Sequence, residues 1–261
     1  MKQMIGIKQI QSLESEMLKC VDEICQRNNL VYYLHAGSAL GAIRHKGPIP
    51  WDDDVDIIVP ITIIDKFIDI MKRELPQKYI VYNKIDNEYN QILFPRICLR
   101  NNNPLVAYID VFPLVGLPST MKECIKFSKK SDLINLLYRF KYRDISKVPN
   151  PFKRCGEYVL LFFLKIVPFK AWQRLLDKHI RKYDYNTSVY VMNPCGQKGT
   201  KNIIKKEIYG IPQRVDYDGM SLPIPERIDE YLTHYYGNYM QYPDESTIKK
   251  GLNKKKEYNG N

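Results

Sequence analysis

Between Ile7 and Asn28 the apolar residues Ile10, Leu13, Met17, Val21 and Ile24 recur every three or four positions. That spacing marks the buried face of a helix, and Asn28-Asn29 supplies its stop. VYYLHA (31–36) then reads as a strand, and Gly37-Ser38 opens a short helix, SALGAIRH. After a Gly-Pro-Ile-Pro turn, VDIIVP (55–60) is an unbroken apolar run of the kind that fills a buried strand. Residues 62–75 return to helical spacing and stop at Pro76, and three strand candidates follow: KYIVYNKI (78–85), LFPRICLR (93–100) and VAYIDVFPL (106–114). Past Pro118 the pattern is helical, near 119–143, 151–166 and 169–183. YDGM (217–220) carries an Asp-Gly hairpin turn, and a last helix is expected near 225–236. The lysine-rich tail from Ile248 is expected to fray. The reading is α+β, with a mixed α/β core at 1–117, a helical and hairpin region at 118–247 and a basic, flexible tail at 248–261.

Composition narrows the class only a little. The 261 residues are 44% hydrophobic, as in a globular protein, and a formal charge of +11 favours anionic partners. The six cysteines are scattered without a CxxC pair, and the first residues lack an apolar signal segment, so a reducing cytoplasmic setting is expected. EYVLLFFLKIVPFKAW (157–172) is strongly apolar but broken by Lys165 and Pro168, so it cannot span a bilayer. The preceding RFKYRDISKVPNPFKR (139–154) has six basic residues against one acidic. Together they suit a peripheral membrane contact or, equally, a core helix. The tyrosines are not interleaved with basic residues, so nucleic-acid binding is not expected.

Against this positive balance, GPIPWDDDVDIIV (47–59) places Asp52, Asp53, Asp54 and Asp56 within five positions at the start of a core strand. Strand side chains alternate, so Asp54 and Asp56 share one face while Val55 and Ile57 enter the core. Asp110 lies mid-strand in AYIDVFPL among apolar neighbours, where solvation alone explains it poorly. If the two strands are adjacent, three carboxylates converge at one sheet edge. Such a site suits one or two hard cations, Mg²⁺ or Mn²⁺, with phosphate oxygens completing the shell. A solvated acidic turn is the alternative. Gly37-Ser38 lies where a strand meets a helix, a place for phosphate contact or for a plain turn. Arg44, His45 and Lys46 follow it, and none of the four histidines has metal-ligand spacing.

The order strand, Gly-Ser, helix, paired Asp-x-Asp, later Asp resembles the nucleotidyltransferase fold of the polymerase-beta type. The wording YYLHAGSALGAIRHKGPIPWDDDVDI (32–57) is similar to the signature of the LicD family, phosphocholine and related phospho-sugar transferases that include the fukutin-related proteins. YIDVFPLVGLP (108–118) resembles its second block, and YDGMSLPIPERIDEYLTHYYGNYMQYP (217–243) resembles a C-terminal one. The chain departs from the family at Ile49, where an aromatic is usual, and at His35-Ala36, where glycine is common. The resemblance implies that Asp54, Asp56 and Asp110 are catalytic and hold Mg²⁺ or Mn²⁺. It implies that Gly37 and Ser38 contact phosphate, with Arg44, His45 and Lys46 as basic neighbours. Trp51 would offer its indole face to a quaternary ammonium, or simply pack. The implied reaction moves phosphocholine or a related phospho-alcohol from a CDP-activated donor such as CDP-choline to a sugar hydroxyl, releasing CMP. The acceptor would be a glycan or lipid-linked glycan of the cell surface, such as lipopolysaccharide or teichoic acid. The enzyme would be cytoplasmic, peripheral at the inner membrane face. Nucleotidyl transfer from an NTP, or a non-catalytic binding role, stays open at this point.

Overall fold

The computed structural model describes residues 2–82, 93–103, 105–146, 148–196 and 199–259. Its first elements are β1 (Lys2–Gly6), α1 (Ile7–Arg27), β2 (Tyr33–Leu34), α2 (Ala36–His45), β3 (Val55–Pro60), α3 (Ile64–Glu74), β4 (Tyr79–Tyr82), β5 (Arg96–Leu99) and β6 (Tyr108–Gly116). Three helices follow: α4 (Met121–Phe140), α5 (Pro151–Ile166) and α6 (Phe169–Ile180). The chain ends with β7 (Tyr190–Met192), β8 (Ile204–Lys205), β9 (Gln213–Tyr217), β10 (Met220–Ile224), α7 (Ile228–Tyr236), α8 (Glu245–Leu252) and β11 (Lys255–Asn259). The fold is mixed α+β, and it divides into two compact units.

The first unit comprises Met1–Asn83, Phe94–Leu114 and Ile204–Asn261. Its sheet runs β2-β3-β6-β5-β4, with β3 and β6 parallel and the other neighbours antiparallel. Val55, Ile57, Ile58 and Val59 of β3 are all buried, as are Ile109 and Val111 of β6. The apolar face of α1 (Ile10, Met17, Val21, Ile24) and that of α3 (Phe67, Ile68, Met71) are buried as well. The Asp-Gly hairpin joins β9 to β10, with Asp218 and Gly219 at φ 55° and 76°, the positive values a two-residue turn requires. At the end of α2, a Cβ on Gly41 would stand 2.5 Å from the Gly47 carbonyl oxygen, so only glycine lets the following loop fold back so closely.

Several expectations change. VYYLHA contributes only the two residues of β2, and the last residues of KYIVYNKI (83–85) lie outside the described ones. The sequence reading grouped 118–247, but Ile204–Asn261 joins the first unit, because the β9–β10 hairpin packs on β2 and α2. The tail expected to fray is ordered: α8 forms, and β11 pairs antiparallel with the unforeseen β1, from Lys2↔Asn259 to Gly6↔Lys255. Backbone pairing and lysine contacts described below hold it, and neither leaves a mark on hydrophobic periodicity.

The second unit, Lys84–Leu93 and Val115–Ile203, is built on α4, α5 and α6. Thr120 caps α4 through the Glu123 amide, and Asn150 caps α5 through the Lys153 amide. Tyr138, Leu164 and Trp172 form one small core, and Ile145, Val148 and Leu161 another. His179 of α6 is buried, stacked on Phe127 at 4.0 Å between ring centroids, with Nε2 3.0 Å from Ser131 Oγ. Burial pulls its pKa down to about 4, so the unfolded chain takes up a proton that the folded one resists. That stability is complete above about 6.5 and is lost as pH falls toward 4. Urea unfolding of wild type and His179→Gln should therefore show any wild-type advantage shrinking between pH 7 and pH 4. A gap independent of pH would contradict a neutral, desolvated imidazole.

Candidate active site

Strands β3 and β6 are neighbours, with Asp56 directly opposite Asp110, and Arg96 of β5 lies opposite Asp110 on its other side. Three adjacent strands thus carry a row of Asp56, Asp110 and Arg96. Arg96 donates from Nε (2.5 Å) and Nη2 (2.9 Å) to the two oxygens of Asp110, both side chains being buried. Its guanidinium lies 3.7 Å from the Tyr108 ring centroid. This bidentate pair uses about two of the four lone-pair sites of the carboxylate and leaves the rest available.

The remaining carboxylates are unequally neutralised. Asp53 takes ion pairs from Lys254 and, at 3.0 Å, Lys256. Burial works to raise its pKa, but hydrogen bonds from these lysines outweigh that and lower it. Among the described residues no cation forms an ion pair with Asp52, Asp54 or Asp56. Desolvation and then mutual repulsion raise all three, Asp56 well above the carboxylate range and Asp52 to about 7. Contact between the two carboxylates further raises Asp52 and works against the rise of Asp54. Glu14 of α1 is buried nearby, accepts from the Tyr108 amide at 3.4 Å, and is also raised strongly by burial.

The loop bearing these residues is held from two sides. Gln11 Nε2 donates to the carbonyls of Ile49 and Asp52, each at 2.8 Å. The Asp56 amide donates to Ser38 Oγ at 2.8 Å, tying the start of α2 to β3. Ser38 is buried and therefore braces the strand, while Gly37 is half-exposed and faces Asp52, whose Oδ2 would lie 3.0 Å from an added Cβ. Ala36 begins α2 with φ 44°, a left-handed value that favours glycine and costs alanine about 1–2 kcal/mol. Tyr231 of α7 supports it by accepting from the Ala36 amide at 3.0 Å and contacting His35 Nδ1 at 2.7 Å. The C-terminal motif thereby acquires a purpose: it secures the turn before the acid cluster.

The basic trio separates. Arg44 donates to the Tyr239 and Gln241 carbonyls and stands 4.9 Å from the Tyr242 ring centroid and 5.9 Å from that of Trp51. His45 accepts from Arg44 Nε at 3.0 Å, and its pKa is lowered by burial and then by that charge, which favours the neutral ring. Its ring meets Trp51 and Tyr242 edge-on. Lys46 is exposed, in a left-handed turn whose carbonyl accepts from the Asp218 amide at 2.6 Å.

Hard carboxylate oxygens that no cation pairs among the described residues suit a hard divalent cation by donor chemistry. Among the described residues, however, no three such groups are already gathered into a ligating arrangement. The sequence reading missed Arg96, Tyr108, Glu14, Gln11 and the two lysines. Arg96 had a signal, being a charge inside an apolar strand candidate just as Asp110 is. Arg96→Ala strands a buried carboxylate and is expected to cost about 3–5 kcal/mol in urea unfolding, with Asp110→Asn in the same chain recovering part of it. A cost below about 1 kcal/mol, typical of an exposed pair, would contradict the buried bidentate contact.

Residues 29–146, which contain Asp54, Asp56, Arg96 and Asp110, match the model of the LicD/FKTN/FKRP nucleotidyltransferase domain. The chain is 26% identical over 257 residues to the lipopolysaccharide cholinephosphotransferase LicD of Haemophilus influenzae, covering 91% of this chain and 95% of that protein. It is 28% identical over 120 residues to an uncharacterized protein of Rickettsia prowazekii, covering 38% of this chain and 44% of the other. An uncharacterized Rickettsia typhi protein shares 45% over 42 residues, 16% of this chain and 14% of that one. Across residues 29–146 the chain is thus similar to the nucleotidyltransferase domain of the LicD family.

Proposed function

We propose that this protein is a phosphotransferase that moves phosphocholine, or a closely related phospho-alcohol, from a CDP-activated donor to a sugar hydroxyl of a cell-surface glycan precursor. Likeness over nearly the whole of a lipopolysaccharide cholinephosphotransferase supports the reaction class. The observation that carries the chemistry is the convergence of Asp54 and Asp56, which have no ion pair among the described residues, with Asp110 at the edge of β3 and β6.

Asp54, Asp56 and Asp110 would hold Mg²⁺ or Mn²⁺, with Arg96 fixing the orientation of Asp110 through the outer shell. A bound cation would neutralise the donor diphosphate and the charge gathered on departing CMP. The acceptor oxygen attacks the phosphorus bearing the alcohol, the bond from that phosphorus to the bridging oxygen breaks, and CMP leaves with the electron pair. The proton of the attacking hydroxyl passes to a carboxylate. Gly37, half-exposed beside Asp52, leaves room for a phosphate oxygen where a side chain would intrude. Trp51 and Tyr242 have π faces suited to a trimethylammonium, a contact of about 0.5–2 kcal/mol. Arg44 stands near both rings, so an ammonium would take the remaining faces.

Nucleotidyl transfer from an NTP is the second reading, since the matched domain is described by that activity. Titration with CDP-choline, CDP-ethanolamine, CDP-ribitol and CTP, with and without Mg²⁺, separates them. The expected result is Mg²⁺-dependent binding of one CDP-alcohol, weakened about tenfold or more in Asp54→Asn. Asp56→Asn should lower kcat by about 10²–10⁴. Binding of CTP alone would overturn phospho-alcohol transfer.

A further inference from the structure

Helix α5 is inside out for a helix surrounded by water. Only Leu161 and Leu164 are buried, with Arg154 and Glu157 half-buried on the same stripe. On the opposite side Phe152 is 89% exposed, Val159 55%, Phe163 62% and Ile166 62%. At about 100° per residue these four fall within roughly 60° of arc, and exposed Phe162 widens the face. A contiguous apolar surface of this kind marks a docking site rather than ordinary scatter.

We propose that this face of α5 docks on an anionic membrane surface, lying in the interface with its aromatic side chains among the acyl chains. Charge selects that occupant. Lys153 and Lys165 flank the apolar face and are exposed, as is Lys170 just beyond the helix. The one carboxylate of α5, Glu157, belongs to the half-buried stripe and pairs with Arg143 at 3.5 Å. The outward surface therefore offers apolar side chains rimmed by cations, the pattern of an interfacial helix whose lysines reach the headgroups. A second copy is a poorer occupant, because a two-fold antiparallel pairing sets Lys153 of one helix beside Lys165 of the other. No helix among the described residues is long and apolar enough to cross a membrane, so α5 lies on the surface rather than spanning it. The proposal does not depend on the transfer reaction.

The test is flotation of the full chain with vesicles of phosphatidylcholine alone and of an equimolar mixture with phosphatidylglycerol. Wild type is expected to float with the anionic vesicles, weakly with the neutral ones, and less in high salt. Val159→Glu/Phe163→Glu should cut flotation by about tenfold or more, a loss expected from removing two apolar anchors. Lys153→Ala/Lys165→Ala should weaken it less and remove most of the salt dependence. Circular dichroism confirms that the variants are folded. Absence of flotation, or equal flotation of wild type and Val159→Glu/Phe163→Glu, overturns the proposal. So does a wild type that is dimeric by size exclusion, becomes monomeric in that variant and ignores vesicles.

Discussion

Buried negative charge without a partner is the constraint around which the first unit is organised. An unpaired carboxylate in a desolvated place is costly, and like charges beside it increase the cost. Here Asp52, Asp54 and Asp56 stand together at the mouth of β3, where burial and their mutual repulsion raise the pKa values of all three. A merely structural turn would have no reason to keep such a group. The neutralisation of its neighbours sharpens the contrast: Asp53 has two lysines and Asp110 has a bidentate arginine. Among the described residues Asp52, Asp54 and Asp56 have no such ion pair, and Asp54 and Asp56 are the two that stand with Asp110 in the proposed cation site.

The topology shows how the cluster is held. Parallel pairing of β3 with β6 sets Asp56 against Asp110, and antiparallel β5 brings Arg96 to the same row. From the opposite end of the sequence, β11 pairs with β1 and delivers Lys256, while α8 packs so closely on Trp51 that a Cβ on Gly251 would stand 2.6 Å from that residue's Cβ. Tyr231 of α7 reaches the strained Ala36 turn. Segments more than 190 residues apart in sequence therefore reach the turn that opens α2 and the loop that follows it.

Much of this was legible where one physical signal dominates. The period of α1, the apolar run of β3 and the Asp-Gly of the β9–β10 turn each announce their structure, and Asp54, Asp56 and Asp110 stood out as charges entering core strands. Other features depend on long-range pairing that no local pattern encodes. Strands β1 and β11 are short and polar, and they stabilise one another across the whole chain. Had KKKEY been read as a strand, Lys254 and Lys256 would have shared a face, but lysine-rich tails are ordinarily solvated. Helix α5 shows the converse: its bounds, 151–166, were plain, but with apolar residues all round, periodicity could not say which face is buried.

The central claim is that a divalent cation completes this acid cluster. Calorimetric titration of Mg²⁺ or Mn²⁺ near pH 7, repeated in buffers of different ionisation enthalpy, measures binding and proton exchange together. Binding with net proton release is expected, because a cation favours the charged form of carboxylates whose pKa values burial has raised. Absence of binding, or binding that is unchanged in Asp54→Asn and releases no proton, would contradict the account.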